Sequence, residues 1–269
     1  MSTLALRFAG PLQSWGVTSE FNRRDTAGRP SKSGVVGLLA AAQGRRRSDP
    51  IDDLVALRLG VRIDQPGSVL RDYHTVSDYR GMPLLSASVN RAQRQKPTGP
   101  AKYTYVTQRF YLQDAVFVVG VTGREDVVAG LADAVRRPGF PLALGRRACV
   151  PSQPMIIPDG SSPIWAGDVV DVLPRISWQV SDHARRLALK RGEVPALSVR
   201  LPTVIDALEH TTGADIAVDV PLSFDPKRRG FTSRIVVHDW VAVPSGYREG
   251  QIAKYSGATS HDPFSLLGW

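Results

Sequence analysis

The sequence has one cysteine in 269 residues, Cys149, which excludes an internal disulfide framework and a cysteine-built zinc site. Long apolar runs are also missing. No stretch approaches the 18 or so uninterrupted apolar residues of a spanning helix, so no membrane-crossing helix is expected. The first residues, MSTLALRFAGPLQSWG, lack a basic segment followed by a long apolar one, so they do not read as a secretory leader. A cytoplasmic location is the expectation. The five histidines (His74, His183, His210, His238 and His261) are scattered without metal-ligand spacing. HExxH, GxSxG and a Cys/His pair are all absent, which leaves hydrolase and zinc chemistry without support, and no cofactor or metal is expected. Lysine is scarce too, supplying six of the 34 basic residues.

What is present is charge, and it is unevenly placed. Residues 1–150 carry 22 Lys/Arg against 12 Asp/Glu, whereas residues 151–269 carry 12 against 13. Between residues 79 and 113 there are six basic residues and no acid. This asymmetry is the footprint expected of a nucleic-acid binder, although heavy arginine use also follows from a GC-rich genome. Arginine suits phosphate forks and base stacking better than lysine does.

The pattern along the chain predicts an α+β fold. Residues 4–8 alternate as a strand with Leu4, Leu6 and Phe8 on one face, ending at Gly10-Pro11. Ser31 or Ser33 caps a buried helix over residues 34–42, stopped near Gly44, with two glycines that let it lie close to a sheet. Residues 54–63 read as a second strand with a helical start. Residues 70–110 are polar, basic and lack a core face, as expected of a long hairpin projecting from the body, its tip near residues 93–100. A strand over 111–121, an amphipathic helix over 125–137 and a short strand over 141–144 follow. The order is β-α-β-(excursion)-β-α-β, the ferredoxin-like plan of RNA-recognition folds. Residues 1–150 are thus expected as an RNA-recognition-like domain. Residues 151–269 form a smaller β-rich part, with strands over 198–203, 215–221 and 232–242 and a tail after residue 243.

Several constellations carry candidate chemistry. Ser31, Lys32 and Ser33 at the helix start, with Arg29, could hold phosphates through free N–H groups and the helix dipole. They do not form a Walker loop, because Ser31 stands where glycine must precede the lysine. Trp15, between Gly10 and Gly16, could stack a splayed base, with Gln13 and Ser14 beside it; a core tryptophan is the competing reading. Arg146 and Arg147 follow Gly145 where backbone is exposed, as a phosphate clamp would. His74, next to Tyr73, is the one acid–base candidate for RNA cleavage, but it lacks a second catalytic group. Arg229-Gly230-Phe231 opens like an RNP1 motif and then departs from it at Thr232, Ser233 and Arg234.

Six segments in order, LRFAGPLQSWG (6–16), GRPSKSGVVGLLAAAQG (28–44), DYHTV (72–76), QRFYLQDAVFVV (108–119), FPLALGRRACVPSQP (140–154) and PLSFDPKRRGF (221–231), resemble the CasD family. These are RAMP-superfamily guide-RNA-binding subunits of type I-E CRISPR Cascade complexes. The resemblance implies a ferredoxin-like (RRM/RAMP) βαββαβ domain with a hairpin thumb at about 70–110. It implies a non-catalytic subunit of an antiviral ribonucleoprotein, binding the 5′ handle of the mature crRNA and capping one end of the complex. Implied partners are the backbone subunit (CasC) and the large subunit (CasA), with target DNA met mainly through the guide. On this reading Ser31, Lys32, Ser33 and Arg29 hold handle phosphates. Gln13, Ser14, Trp15, Tyr73 and His74 contact bases or sugars. Arg94, Lys96, Lys102 and Arg109 on the thumb, with Arg146 and Arg147, guide the backbone. Because a related type I-C subunit cuts RNA, a metal-independent endoribonuclease acting on CRISPR repeat RNA is the alternative.

Overall fold

The computed structural model describes residues 1–16, 22–78, 91–92, 103–193, 196–207, 211–248 and 252. In chain order the elements are β1 (Ser2–Ala9), β2 (Leu12–Gln13), β3 (Arg23–Arg24), α1 (Lys32–Ala42), α2 (Asp52–Val55), β4 (Arg58–Gln65), β5 (Ser68–Asp78) and β6 (Tyr103–Gln113). They continue with β7 (Val116–Gly123), α3 (Glu125–Arg136), β8 (Trp165–Ala166), α4 (Val169–Val172), α5 (Asp182–Lys190), β9 (Ser198–Asp206), β10 (Ala214–Ser223) and β11 (Gly230–Pro244). The result is a strand-rich mixed α/β molecule. One sheet has seven strands in the order β10-β11-β9-β4-β7-β1-β8; in a second, β6 pairs with β5 on one side and with β2 and β3 on the other.

Alternation in β1 decides how the large sheet is covered. Leu4, Leu6 and Phe8 turn to the face that also buries Val35 and Leu39 of α1 and Leu131 of α3. Ala5 turns the other way, into a smaller cluster with Val118, Trp165, Val169 and Leu173. Each large side chain removed from water here contributes about 1.5–3 kcal/mol. Helix α3 buries only one stripe (Val128, Leu131, Ala132 and Val135), whereas α1 is largely buried between the sheet, α3 and β10. Helix α1 begins where Ser31 Oγ accepts the Gly34 amide, and it ends before Gly44, whose φ of +72° turns the chain away.

The other face of the large sheet is held by a buried ion pair. Arg62 and Asp64, both with side chains fully removed from solvent, form a two-pronged contact at 2.7 and 2.8 Å. Arg62 also donates to the carbonyls of Leu173, Ile176 and Ser177, and Asp64 accepts the Gln179 amide and, through its carbonyl, the Trp178 indole. One arginine on β4 therefore fixes the segment that crosses behind the sheet. A charge this deeply placed is tolerable only because its donors are matched.

Three features differ from the expected outline. The strand expected over 111–121 is broken at Asp114, whose φ is +54°, so Tyr111–Gln113 end β6 and the chain restarts as β7 at Val116. Residues 141–144 are not a strand: Pro141 brings no N–H, and Leu144 donates to Cys149 O at 2.7 Å, closing a local loop. The edge beside β1 is covered instead by β8 and by a bridge between Leu6 and Ile156. The β-rich residues 198–244 do not build a sheet of their own. Strand β9 pairs with β4, and β11 and β10 extend the same sheet outward.

Candidate nucleic-acid interface

Strand β6 organises the basic part of the molecule. Its partner β5 runs antiparallel from Ser68↔Gln113 to Asp78↔Tyr103. On the opposite edge the short β3 lies parallel, placing Arg23 beside Gln108 and Arg24 beside Arg109. The Gln108 amide donates to Asn22 O at 2.7 Å and fixes this register. Three arginines, Arg23, Arg24 and Arg109, are thereby collected at one place from two distant stretches of chain.

Two of the neighbouring aromatics carry arginines on their faces. The Arg23 guanidinium lies 5.0 Å from the Phe110 ring centroid, and Arg146 lies 4.7 Å from that of Tyr111. Arg146 Nη2 donates to Arg24 O at 2.8 Å, while its Nη1 is enclosed with no hydrogen-bond partner. Arg147 is exposed beside it. Arg23 Nε also bonds both oxygens of Asp25 at 3.1 Å. A guanidinium placed over a ring leaves its remaining accessible donors for phosphate oxygens or base edges.

Gly145 makes this arrangement possible. Its φ is +91°, and a Cβ there would stand 1.8 Å from Ser14 O. Only glycine lets the loop approach the Gln13–Trp15 backbone, where Ser14 N donates to Leu144 O at 3.1 Å. The loop and the chain after β1 are thus locked together, and Arg146 is aimed at Tyr111.

Gln13, Ser14 and Trp15 themselves are scaffold, which corrects the expectation of base contacts by their side chains. All three are buried, and Trp15 is 1% exposed. Its ring stacks on Phe8 with centroids 5.5 Å apart, and it presses on Gly34, whose missing Cβ makes the space. Gln13 Nε2 donates to Phe8 O and Ala115 O, and its Oε1 accepts the Trp15 indole. Ser14 Oγ donates to Phe110 O.

The helix-start group is corrected for a different reason: an acid already occupies it. The Lys32 amide donates to Asp219 Oδ2 at 2.7 Å, where a phosphate was expected. Lys32 Nζ reaches Asp206 Oδ2 at 2.8 Å and Leu57 O at 3.0 Å. Arg234 lies between the two acids, paired with Asp206 and, at 2.7 Å, with Asp219. Burial pushes the Asp219 carboxyl up, but the Arg234 bond and charge and the Lys32 amide outweigh it, leaving the group below the ordinary carboxylate value. Ser31 and Ser33 hydroxyls bond each other at 3.1 Å. Arg29 is half-buried; burial and then the Arg234 charge hold its pKa down, against Asp219 and Asp215. This is a satisfied internal network rather than an anion cradle.

On β5, Tyr73 and His74 are exposed, and as consecutive strand residues they project to opposite faces. They cannot act on one proton together. His74 Nδ1 stands 3.9 Å from Asp72 Oδ2. Arg94, Lys96 and Lys102 lie outside the described residues. Among the described residues no group of three His, Cys, Asp or Glu could hold a metal ion, and no helix is long and apolar enough to cross a membrane. Sequence reading missed Arg23, Arg24, Phe110 and Tyr111. The Arg23-Arg24 pair in a polar loop and the aromatic pair following Arg109 were the available signals.

A basic seam laid along an antiparallel ribbon, beside a helix-backed sheet, is an arrangement suited to a nucleic-acid backbone. Comparison with known proteins narrows it. The model of the CRISPR-associated Cas5 family matches residues 3–237, and the chain belongs to that family. It is 34% identical over 175 residues to the CRISPR system Cascade subunit CasD of Escherichia coli (strain K12), covering 58% of this chain and 70% of that protein. Among solved structures, a chain of a CRISPR RNA-guided surveillance complex superposes with a TM-score of 0.69. Identity there is 34%, covering 95% of this chain and 99% of the other. A crystal structure of a Cas protein superposes with a TM-score of 0.62 at 32% identity, covering 91% and 98%.

Proposed function

We propose that this protein is a non-catalytic subunit of a type I-E Cascade ribonucleoprotein that grips the 5′ handle of the mature crRNA. The observation that carries the reading is the placing of Arg146 over Tyr111 and Arg23 over Phe110, beside Arg24 and Arg109. Such a seam suits backbone through charge and bases through aromatic and guanidinium faces, the combination single-stranded RNA requires. The β5–β6 ribbon serves as the thumb, with Tyr73 and His74 on its two faces, and Arg94, Lys96 and Lys102 of the chain between its strands guide the RNA backbone. The body is the RRM-like half of residues 1–150, and residues 151–269 form the β-rich remainder. In support of the ferredoxin-like plan, β1, β7 and β4 lie side by side with α1 and α3 on one face. The fourth strand of that plan is reduced to β8 and the Ile156 bridge. The protein caps one end of the complex, with the backbone subunit CasC and the large subunit CasA as neighbours, and it meets target DNA mainly through the guide.

Copurification from cells expressing CRISPR RNA, followed by sequencing of the bound RNA, tests this. The expected result is RNA sharing a uniform 5′ repeat fragment, and incubation with repeat RNA should leave that RNA uncut. A defined, metal-independent product lost in His74→Ala would replace this reading with the endoribonuclease one.

A further inference from the structure

Behind the large sheet, on the face away from α1 and α3, lies a cavity of about 460 Å³. It is formed where the end of β1 meets Gln153, the Trp178–Asp182 segment and Gly246–Tyr247. Arg7 reaches it because β1 alternates: Leu6 and Phe8 enter the core on one side, so Arg7 must project from the other. We propose that this cavity is a second nucleic-acid site, receiving one nucleotide of a single strand, independent of the seam along β6.

Three observations carry the assignment. The first is uncompensated positive charge. Arg7 donates to Gln179 Oε1 and Pro154 O, keeps an enclosed Nε with no partner, and is ion-paired to no acid among the described residues. Among the described residues Arg185 likewise bonds only carbonyls, of Ser245 and Trp178. Two arginines facing one cavity without a carboxylate partner call for an anion.

The second is a pair of aromatic rings gathered around one of those cations. The Arg185 guanidinium lies 5.1 Å from the Trp178 ring centroid and 5.1 Å from that of Tyr247. Two aromatic rings gathered around one cation give a base a π-face to pack on, and a simple carboxylate or inorganic anion has no use for one. Gln153 stands exposed at the opening, where a side-chain amide can meet a base edge.

The third is the first turn of α5. Ser181 Oγ takes the Ala184 amide, which leaves the Asp182 and His183 amides without an intrahelical partner and directed toward the cavity end of the helix. Asp182 is the one acid in the lining, and it is exposed. The volume lies within the range of small-molecule sites and suits a single nucleotide rather than a folded partner.

The test uses the purified full chain with a fluorescein-labelled short oligo(dT) carrying thiothymidine, and the matching oligo(U) for the RNA source. Near-ultraviolet irradiation followed by peptide mapping should give adducts on Trp178 or Tyr247. Gln153→Glu adds a negative charge at an exposed opening without disturbing the fold, and it should weaken probe binding about five-fold and lower the yield of those adducts in step. Arg147→Glu in the β6 seam should leave the adducts in place. Adducts confined to the β6 seam, or a Gln153→Glu variant that binds and crosslinks like the parent, would overturn the proposal. So would inorganic phosphate competing as well as dTMP, since that marks a bare anion site. Preference between the two oligomers identifies which strand the site serves.

Discussion

The Arg146 guanidinium packs 4.7 Å above the Tyr111 ring and is held there by a single hydrogen bond to Arg24 O. Its other terminal nitrogen has no hydrogen-bond partner. A cation so placed has already lost its side-chain entropy before ligand arrives, which favours tight and oriented contact with RNA. The double substitution Arg146→Ala/Arg147→Ala is therefore expected to weaken binding of repeat RNA. It should also lower the slope of log K against log salt by about one to two units. Fluorescence titrations at several salt concentrations give that slope, and an unchanged value would remove both residues from the RNA path.

Gly145→Ala separates geometry from charge. The variant keeps both arginines, yet its Cβ would overlap Ser14 O and its backbone would be forced into a left-handed conformation. A loss of about 1–3 kcal/mol in stability is expected, with RNA affinity falling as the loop shifts and Arg146 leaves Tyr111. Urea unfolding combined with the same titration checks this. Parent-like affinity in the folded variant would mean that the position of Arg146 is immaterial.

Much of the fold was legible because local rules and tertiary contacts agreed. Leu4, Leu6 and Phe8 share a face as their alternation requires, and Ser31 caps α1. The strands expected from residue 198 onward form with extended ends. The site was less legible, for a physical reason. Lys32 and Arg29 look like an anion cradle in one dimension, but Asp219 and Asp206, nearly two hundred residues away, arrive to neutralise it. Arg23 and Arg24 join Arg109 only through a two-residue parallel pairing. No propensity or period in the sequence encodes either meeting. The strand expected over 141–144 fails similarly, because β8 and Ile156 reach the edge of β1 first.

Trp15 tests the scaffold assignment directly. Its ring fills the space between Phe8 and Gly34, and its indole nitrogen is satisfied by Gln13. Trp15→Ala should cost about 3–5 kcal/mol, the range for emptying a buried aromatic site. Affinity for RNA per folded molecule should stay near the parent value. Denaturant midpoints report the first quantity, and titration of the folded fraction reports the second. An intact midpoint with lost RNA binding would return Trp15 to the ligand-contacting surface.

Asp219 makes stability depend on pH in a defined direction. Its carboxyl is held below the ordinary value in the folded protein, so it binds protons less readily there than in the unfolded chain. Its contribution is thus fully present above about pH 4 and is lost as pH falls through the folded-state value. Arg234, raised by the same pairing although burial opposes it, stays charged throughout and gives no step of its own. Asp219→Asn keeps an acceptor for the Lys32 amide but removes the charge facing Arg234. It should cost about 3 kcal/mol at neutral pH, as expected when one partner of a buried pair is removed. The deficit should shrink as both proteins are acidified below pH 4, because protonation makes the parent resemble the variant. Urea unfolding of the two proteins across that range measures it. A deficit that stays constant with pH would show that Asp219 acts by shape and hydrogen bonding rather than by charge.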